Sequence, residues 1–148
     1  MKILITGSSG YIGKNVYEYF NNKKYYVHRF NRNDNEKKIS LQNYDKIILN
    51  FEPDIIIHLA NKSHTYSFSQ KDYEQSLNLA KYLINLSLKN EVKKFIFLSS
   101  IKVNGEFTVK NKKFDEKQTS NPQDLYSKSK LSIENLIEEN FKKTFIKF

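Results

Sequence analysis

Residues 6–13 read Thr-Gly-Ser-Ser-Gly-Tyr-Ile-Gly and follow directly on the apolar run Ile3-Leu4-Ile5, ahead of a segment with helical periodicity. That order, strand then glycine turn then helix start, constrains the chain more than any other feature. Gly7, Gly10 and Gly13, spaced by three, allow a tight turn, a close approach of backbone to a ligand and close packing of helix on strand. The helix start behind the loop presents N–H groups without intrahelical partners and a partial positive charge. The chain holds four glycines, the fourth being Gly105, so three within seven residues serve a local purpose. A bland tight turn would explain the glycines alone. The full order predicts instead a dinucleotide whose pyrophosphate rests on Gly7, Ser9, Gly10, Tyr11, Ile12 and Gly13.

At 148 residues the chain is expected to be one domain, 1–148, with a substantial buried core. No linker or repeat divides it. It has no cysteine, which excludes a disulfide framework or a cysteine metal site and suits a cytoplasmic protein. The N-terminus runs straight into a strand, so a secretory leader is not expected. The longest apolar runs fall far short of the ~20 residues that cross a bilayer, and no membrane association is expected. The net charge of +9 is carried almost wholly by scattered lysines, with Arg29 and Arg32 the only arginines. This pattern argues against nucleic acid as the partner and favours small anionic ligands.

Strands are predicted at 2–6, 25–30, 38–40, 54–60 and 94–99, and the start of another at 145–148. Helices are predicted at 12–21, 44–50, 72–89 and 127–141. Pro53 ends the second helix before the next strand. The runs Ile55-Ile56-Ile57 and Phe95-Ile96-Phe97-Leu98 are apolar throughout, as strands of a parallel sheet covered on both faces require. Strands alternating with helices give an α/β fold, a doubly wound parallel sheet with helices on both faces, with ligands at the carboxyl ends of its strands.

The 94–99 strand ends in Ser99-Ser100, and Tyr126 and Lys130 follow at a spacing of four, on one face of a helix. Tyrosine and lysine are common enough here for such pairs to arise by chance, as Tyr19 and Lys23 do. Position separates the two pairs: Tyr126 opens its helix after a strand ending in serine, whereas Tyr19 lies in the first crossover helix. A free phenol, with a pKa of ~10, is a poor base at neutral pH. A lysine ammonium ~4 Å away at an effective dielectric of ~20 favours phenolate by up to ~4 kcal/mol, roughly three pKa units. Tyr126 is thus a candidate proton carrier, with Ser100 a hydrogen-bonding partner for the same hydroxyl. His58 reads as a satisfied core histidine and His64 as a loop residue, and the three histidines lack metal-ligand spacing. Lys102 and Asn104 read equally as cleft residues or as a polar loop.

Taken together, the Gly7/Gly10/Gly13 loop, the strand Asp54–Asn61, the strand end Phe97-Leu98-Ser99-Ser100 and the Tyr126/Lys130 pair resemble the extended short-chain dehydrogenase/reductases, and among them the NAD-dependent epimerase/dehydratase group acting on nucleotide-sugars. The resemblance implies a Rossmann-type fold with Tyr126 as catalytic acid/base, Lys130 holding the nicotinamide ribose, and Ser100 orienting the sugar hydroxyl. It also implies that Leu59, Ala60 and Asn61 line the cofactor cleft. The reaction implied is hydride transfer at a sugar carbon by an epimerase, dehydratase or reductase. Departures from the pattern bear on this. Asn31-Arg32 stands where NAD users often carry an acidic residue, and an arginine there can pair with a 2′-phosphate, so NADP is at least as well suited as NAD; a solvated loop charge explains Arg32 equally well. Ser76 falls where the family commonly has a supporting asparagine, with Asn78 two residues on. The chain stops at Phe148, inside the expected sixth strand, so the substrate-binding region is expected to be absent: either the sequence is a truncated copy or a complementing chain supplies the remainder, and a homodimer is the other association expected. The rival reading is a non-catalytic dinucleotide-binding pseudoenzyme left by truncation.

Overall fold

The computed structural model describes residues 1–30, 51–62, 67–108, 113–115 and 118–141. The expected strand at 38–40, the helix at 44–50, the strand start at 145–148 and His64 lie outside these residues. Those described fall into two compact units, 1–61 with 85–98 and 62–84 with 99–148.

The first unit carries the sheet. Strands β1 (Lys2–Thr6), β2 (Tyr26–Phe30), β3 (Ile55–His58) and β4 (Lys94–Phe97) form one four-stranded sheet in the order β2-β1-β3-β4. Every pairing is parallel. Helix α1 (Tyr11–Asn22) is the crossover from β1 to β2. Its Val16, Tyr17 and Phe20 pack on the cluster of Ile3, Ile5 and Ile57. Leu4 and Ile56, on alternate positions, are also fully buried, so β1 and β3 are covered on both faces, as their unbroken apolar runs require.

The amino ends of three strands are fastened by Asp54. Its N–H donates to the Lys2 carbonyl (2.8 Å), its carboxylate accepts from the Lys2 N–H (2.7 Å), and its own carbonyl accepts from the Lys93 N–H (2.9 Å). Above all the Lys93 ammonium, 2.7 Å from Asp54, and then the Lys2 N–H hold the carboxyl below its usual range.

β3 is shorter than the predicted 54–60 because a side chain takes over as the ladder ends. The Leu59 N–H is shared between the Thr6 carbonyl and Thr6 Oγ1 (3.2 Å each), and the Ala60 N–H goes to Oγ1 (3.1 Å). β4 departs from expectation more clearly. It was expected to be covered on both faces, but Lys94 and Ile96 are exposed while Phe95 and Phe97 are half-buried, the alternation of a strand with one covered face. β4 is also an edge of the described sheet.

Helix α2 (Gln70–Lys89) runs through both units. Ser76, Leu79, Ala80, Leu83, Ile84 and Ser87 form its buried stripe, whereas Leu88, one of its periodic apolar residues, is exposed. The second unit also holds a 3-10 turn (Ile101–Asn104) and helix α3 (Leu125–Asn140), and the turn packs against α3. Tyr73 and Ser132 share a hydrogen bond of 2.8 Å. Ile133 and Ile137 are buried; Leu131 and Leu136 are half-buried.

Ile5 lies at the centre of the first unit, with no exposed surface. Ile5→Ala removes its buried methylenes and leaves a cavity, and is expected to lower unfolding free energy by about 2–5 kcal/mol in urea titration. A loss below ~1 kcal/mol would show that α1 does not pack on β1 as described.

Candidate functional site

The strand order reverses at β1, with β2 on one side and β3 on the other. Such a reversal leaves a crevice beyond the carboxyl ends of the strands, where ligands of α/β sheets bind. Thr6 and His58 are register partners there. Both are buried, and Thr6 Oγ1 lies 2.7 Å from His58 Nδ1. His58 is thus a core histidine, as its strand pattern predicts.

The glycines of the following turn differ in what they are for. Gly7 has φ +71, and a Cβ on it would fall 2.7 Å from the Ala60 nitrogen. A Cβ on Gly13 would fall 2.1 Å from the Gly7 carbonyl oxygen and 2.7 Å from the Ser8 Cα. Both are demanded by the protein's own backbone. A Cβ on Gly10 would meet only the Gly7 oxygen, at 3.4 Å, an ordinary contact.

Gly10 is also the N-cap of α1. It offers no side-chain cap, and the first turn carries no acidic residue. The first N–H groups of the helix therefore keep their capacity for an anion. Ser9, Tyr11 and Ile12 are exposed around this end, whereas Ser8 is buried. Leu59, Ala60 and Asn61 follow β3 and are half-buried, with Ala60 against Gly7. Asn31 and Arg32 lie outside the described residues.

Ser100, Tyr126 and Lys130 all belong to the second unit. Helix α3 starts where it does because Asp124 caps it. Its carboxylate accepts from the Ser127 N–H at 2.6 Å, while the Ser127 hydroxyl accepts from the Asp124 N–H at 3.2 Å. This reciprocal cap places Tyr126 in the first turn and Lys130 one turn later. The half-buried Tyr126 ring meets the buried Phe68 edge-on, with centroids 5.6 Å apart. The Lys130 ammonium lies 5.7 Å from the Tyr126 centroid, within cation–π range. Lys130 is 4% exposed. Burial pushes its ammonium down to about 8, against the opposing pull of Glu134.

Ser100 caps the 3-10 turn, its hydroxyl accepting from the Lys102 N–H at 3.3 Å. The Lys102 ammonium lies 2.5 Å from Asp124 and 2.8 Å from Glu106. Hydrogen bonds to Asp124 and then Glu106 hold it well above the usual lysine range. Partial burial raises the Asp124 carboxyl, but the hydrogen bonds from Lys102 and Ser127 outweigh that and keep it below the usual carboxylate range. Neither Asp124 nor Phe68 was singled out by sequence reasoning. The Asp124-x-x-Ser127 spacing was a legible capping signal; the Phe68 contact had none. Ser76 is buried and its hydroxyl donates to the Asp72 carbonyl at 2.8 Å, while Asn78 is exposed.

The model of the NAD dependent epimerase/dehydratase family matches residues 3–147. Among curated proteins, the UDP-glucose 4-epimerase of Vibrio cholerae is 30% identical over 89% of this chain, which spans 44% of that protein. Among solved structures, the UDP-glucose 4-epimerase of Thermotoga maritima, determined with UDP-glucose, superposes with TM-score 0.86 at 24% identity, over 97% of this chain and 52% of that one. The Thermus thermophilus UDP-glucose 4-epimerase in complex with NAD gives 0.85 at 19% identity, over 96% and 51%. These likenesses show the Rossmann-type fold, and the chain spans about half the length of the proteins it matches.

Two stability predictions come from this geometry. Gly13→Ala is expected to lower the thermal midpoint far more than Gly10→Ala, since only the first brings a Cβ into backbone; equal losses would contradict the loop as described. Lys130 has a lowered folded-state pKa, so stability rises with pH between about 8 and the ordinary 10.5, where the folded side chain is neutral and the unfolded one still protonated. Lys130→Met is therefore expected to be more stable than wild type at pH 7 by roughly 1–3 kcal/mol. Urea titrations at stepped pH should show that advantage shrinking above pH 8, and a pH-independent difference would contradict the burial of the ammonium.

Proposed function

The chain belongs to the NAD dependent epimerase/dehydratase family, and from that premise we propose that it is the cofactor-binding half, with its acid/base side chains, of an enzyme that moves a hydride at a nucleotide-sugar carbon. The observation that carries this reading is Gly10. It stands at an uncapped helix N-terminus where a Cβ has room within the protein, so its lack of a side chain serves an approaching ligand rather than the fold. Gly7 to Gly13 would hold the pyrophosphate on backbone N–H groups, and Leu59 to Asn61 would line the same crevice.

A nicotinamide dinucleotide held by the Gly7 to Gly13 loop would supply a reversible acceptor for hydride. Tyr126 takes the hydroxyl proton of the sugar carbon that loses hydride and gives it back as hydride returns. The buried Lys130 ammonium, beside the Tyr126 ring, stabilises negative charge on the phenol oxygen and holds the nicotinamide ribose. Ser100 orients the sugar hydroxyl. The family is described as NAD dependent, while Asn31-Arg32 suits the extra phosphate of NADP equally well.

A substrate-binding region, supplied by further chain or by a complementing chain, completes the site, and the protein works in the cytoplasm. Among the described residues no helix is long and apolar enough to cross a membrane. The second reading is a dinucleotide-binding protein without turnover.

Calorimetry with NAD and NADP is expected to show binding by wild type and at least a tenfold loss in Gly10→Ala, with the fold retained. A folded wild type that binds neither cofactor would overturn the proposal. Fused to the substrate-binding half of a relative, the chain is expected to transfer hydride with nucleotide-sugars, and Tyr126→Phe to remove about a hundredfold or more of that rate while leaving cofactor affinity nearly unchanged. Binding without turnover in the fusion would favour the second reading.

A further inference from the structure

We infer that Lys102 and Asp124 are positioning residues whose ion pair fixes Ser100 and Tyr126 relative to one another. The inference rests on the roles proposed above for Ser100 and Tyr126. The main chain and the side chain of Lys102 act on different partners. Its N–H is held by the Ser100 hydroxyl (3.3 Å), and its ammonium reaches across 22 residues to Asp124 Oδ2 (2.5 Å). Asp124 is likewise shared: Oδ2 takes Lys102, while Oδ1 takes the N–H and the hydroxyl of Ser127 (2.6 and 2.8 Å). One carboxylate thereby holds a side chain of the turn that Ser100 caps and caps the helix whose first turn carries Tyr126.

Loop closure alone does not require this bond. The return of the chain to the turn is already secured by the Asn121 N–H on the Val103 carbonyl (2.9 Å) and by the Gln118 amide on the Asn104 carbonyl (3.1 Å). Nor does the helix cap require charge, because asparagine caps as well as aspartate. What the charge adds is direction. Lys102 and Asp124 are each about two-thirds buried, and Glu106 holds the ammonium from a second side at 2.8 Å. An ammonium held by two carboxylates has little freedom to swing, and a charge-assisted bond at partly buried sites resists displacement. The Ser100 hydroxyl and the Tyr126 helix thus share one rigid connection, which is what a pair of groups meeting on one substrate hydroxyl needs.

The test separates the cap from the ion pair. Asp124→Asn keeps the cap and loses the pair; Lys102→Met loses the pair from the other side; Lys102→Arg keeps it. Relaxation-dispersion NMR on the 148-residue chain, which needs no turnover, is expected to show microsecond–millisecond exchange at the Ser100 and Tyr126 amides in the first two variants. Wild type and Lys102→Arg should lack it, and thermal midpoints should change little. Amides as quiet in Asp124→Asn and Lys102→Met as in wild type would overturn the inference. In the fusion protein the same two variants are expected to lose about 10–100-fold in kcat with cofactor affinity unchanged, the double variant no more than either single one, and Lys102→Arg is expected to retain the rate. Loss of turnover in Tyr126→Phe with kcat retained in both pair variants would overturn the positioning role alone; turnover retained in Tyr126→Phe would instead overturn the catalytic reading on which it rests.

Discussion

The turn after β1 exists in its observed form only because Gly7 has no Cβ. Its backbone takes φ +71 and passes so close to the end of β3 that the Ala60 nitrogen occupies the space a side chain would need. That approach lets Thr6 Oγ1 gather the Leu59 and Ala60 N–H groups where the ladder between β1 and β3 ends. Gly13 adds the second condition, allowing the first turn of α1 to settle onto the Gly7 carbonyl. A side chain at either position would push loop, helix and strand apart, and the uncapped helix end would no longer stand over the point where the strand order reverses. Gly10 is a glycine of another kind, kept where the protein leaves room.

In the second unit the governing force is electrostatic. Lys130 is buried at a cost that shows in its lowered pKa, and a structure selected for stability alone would put an apolar side chain there. Its ammonium is held 5.7 Å from the centre of the Tyr126 ring. Asp124 meets two needs with two oxygens, one for the cap and one for Lys102. Perturbed lysines and shared carboxylates of this kind gather where groups must be held in register for chemistry.

Much of the fold was legible in short stretches. β1 falls on its predicted residues because Ile3-Leu4-Ile5 is an apolar run closed by a glycine. The three described helices came within one or two residues of their predicted ends, the usual scatter of helix boundaries. β3 ran short of prediction because Ala60 looks like a strand residue but its N–H bonds to a threonine side chain 54 residues away, and Leu59 divides its N–H between that side chain and the Thr6 carbonyl. The one exposed face of β4 could not be read from Phe95-Ile96-Phe97-Leu98, since an apolar run looks the same whether one face of the strand is covered or both.

The sequence by itself determined the order of the described strands and helices, the glycine loop between the first two, and the placing of Tyr126 and Lys130 one turn apart. Each of these depends on residues within a few positions of one another, where steric preference and helical spacing decide. The tertiary structure alone decided which glycines the backbone demands, how deeply Lys130 is buried, and that Lys102 finds Asp124. Those outcomes depend on which distant segments meet, and desolvation and close contact have no value until they do.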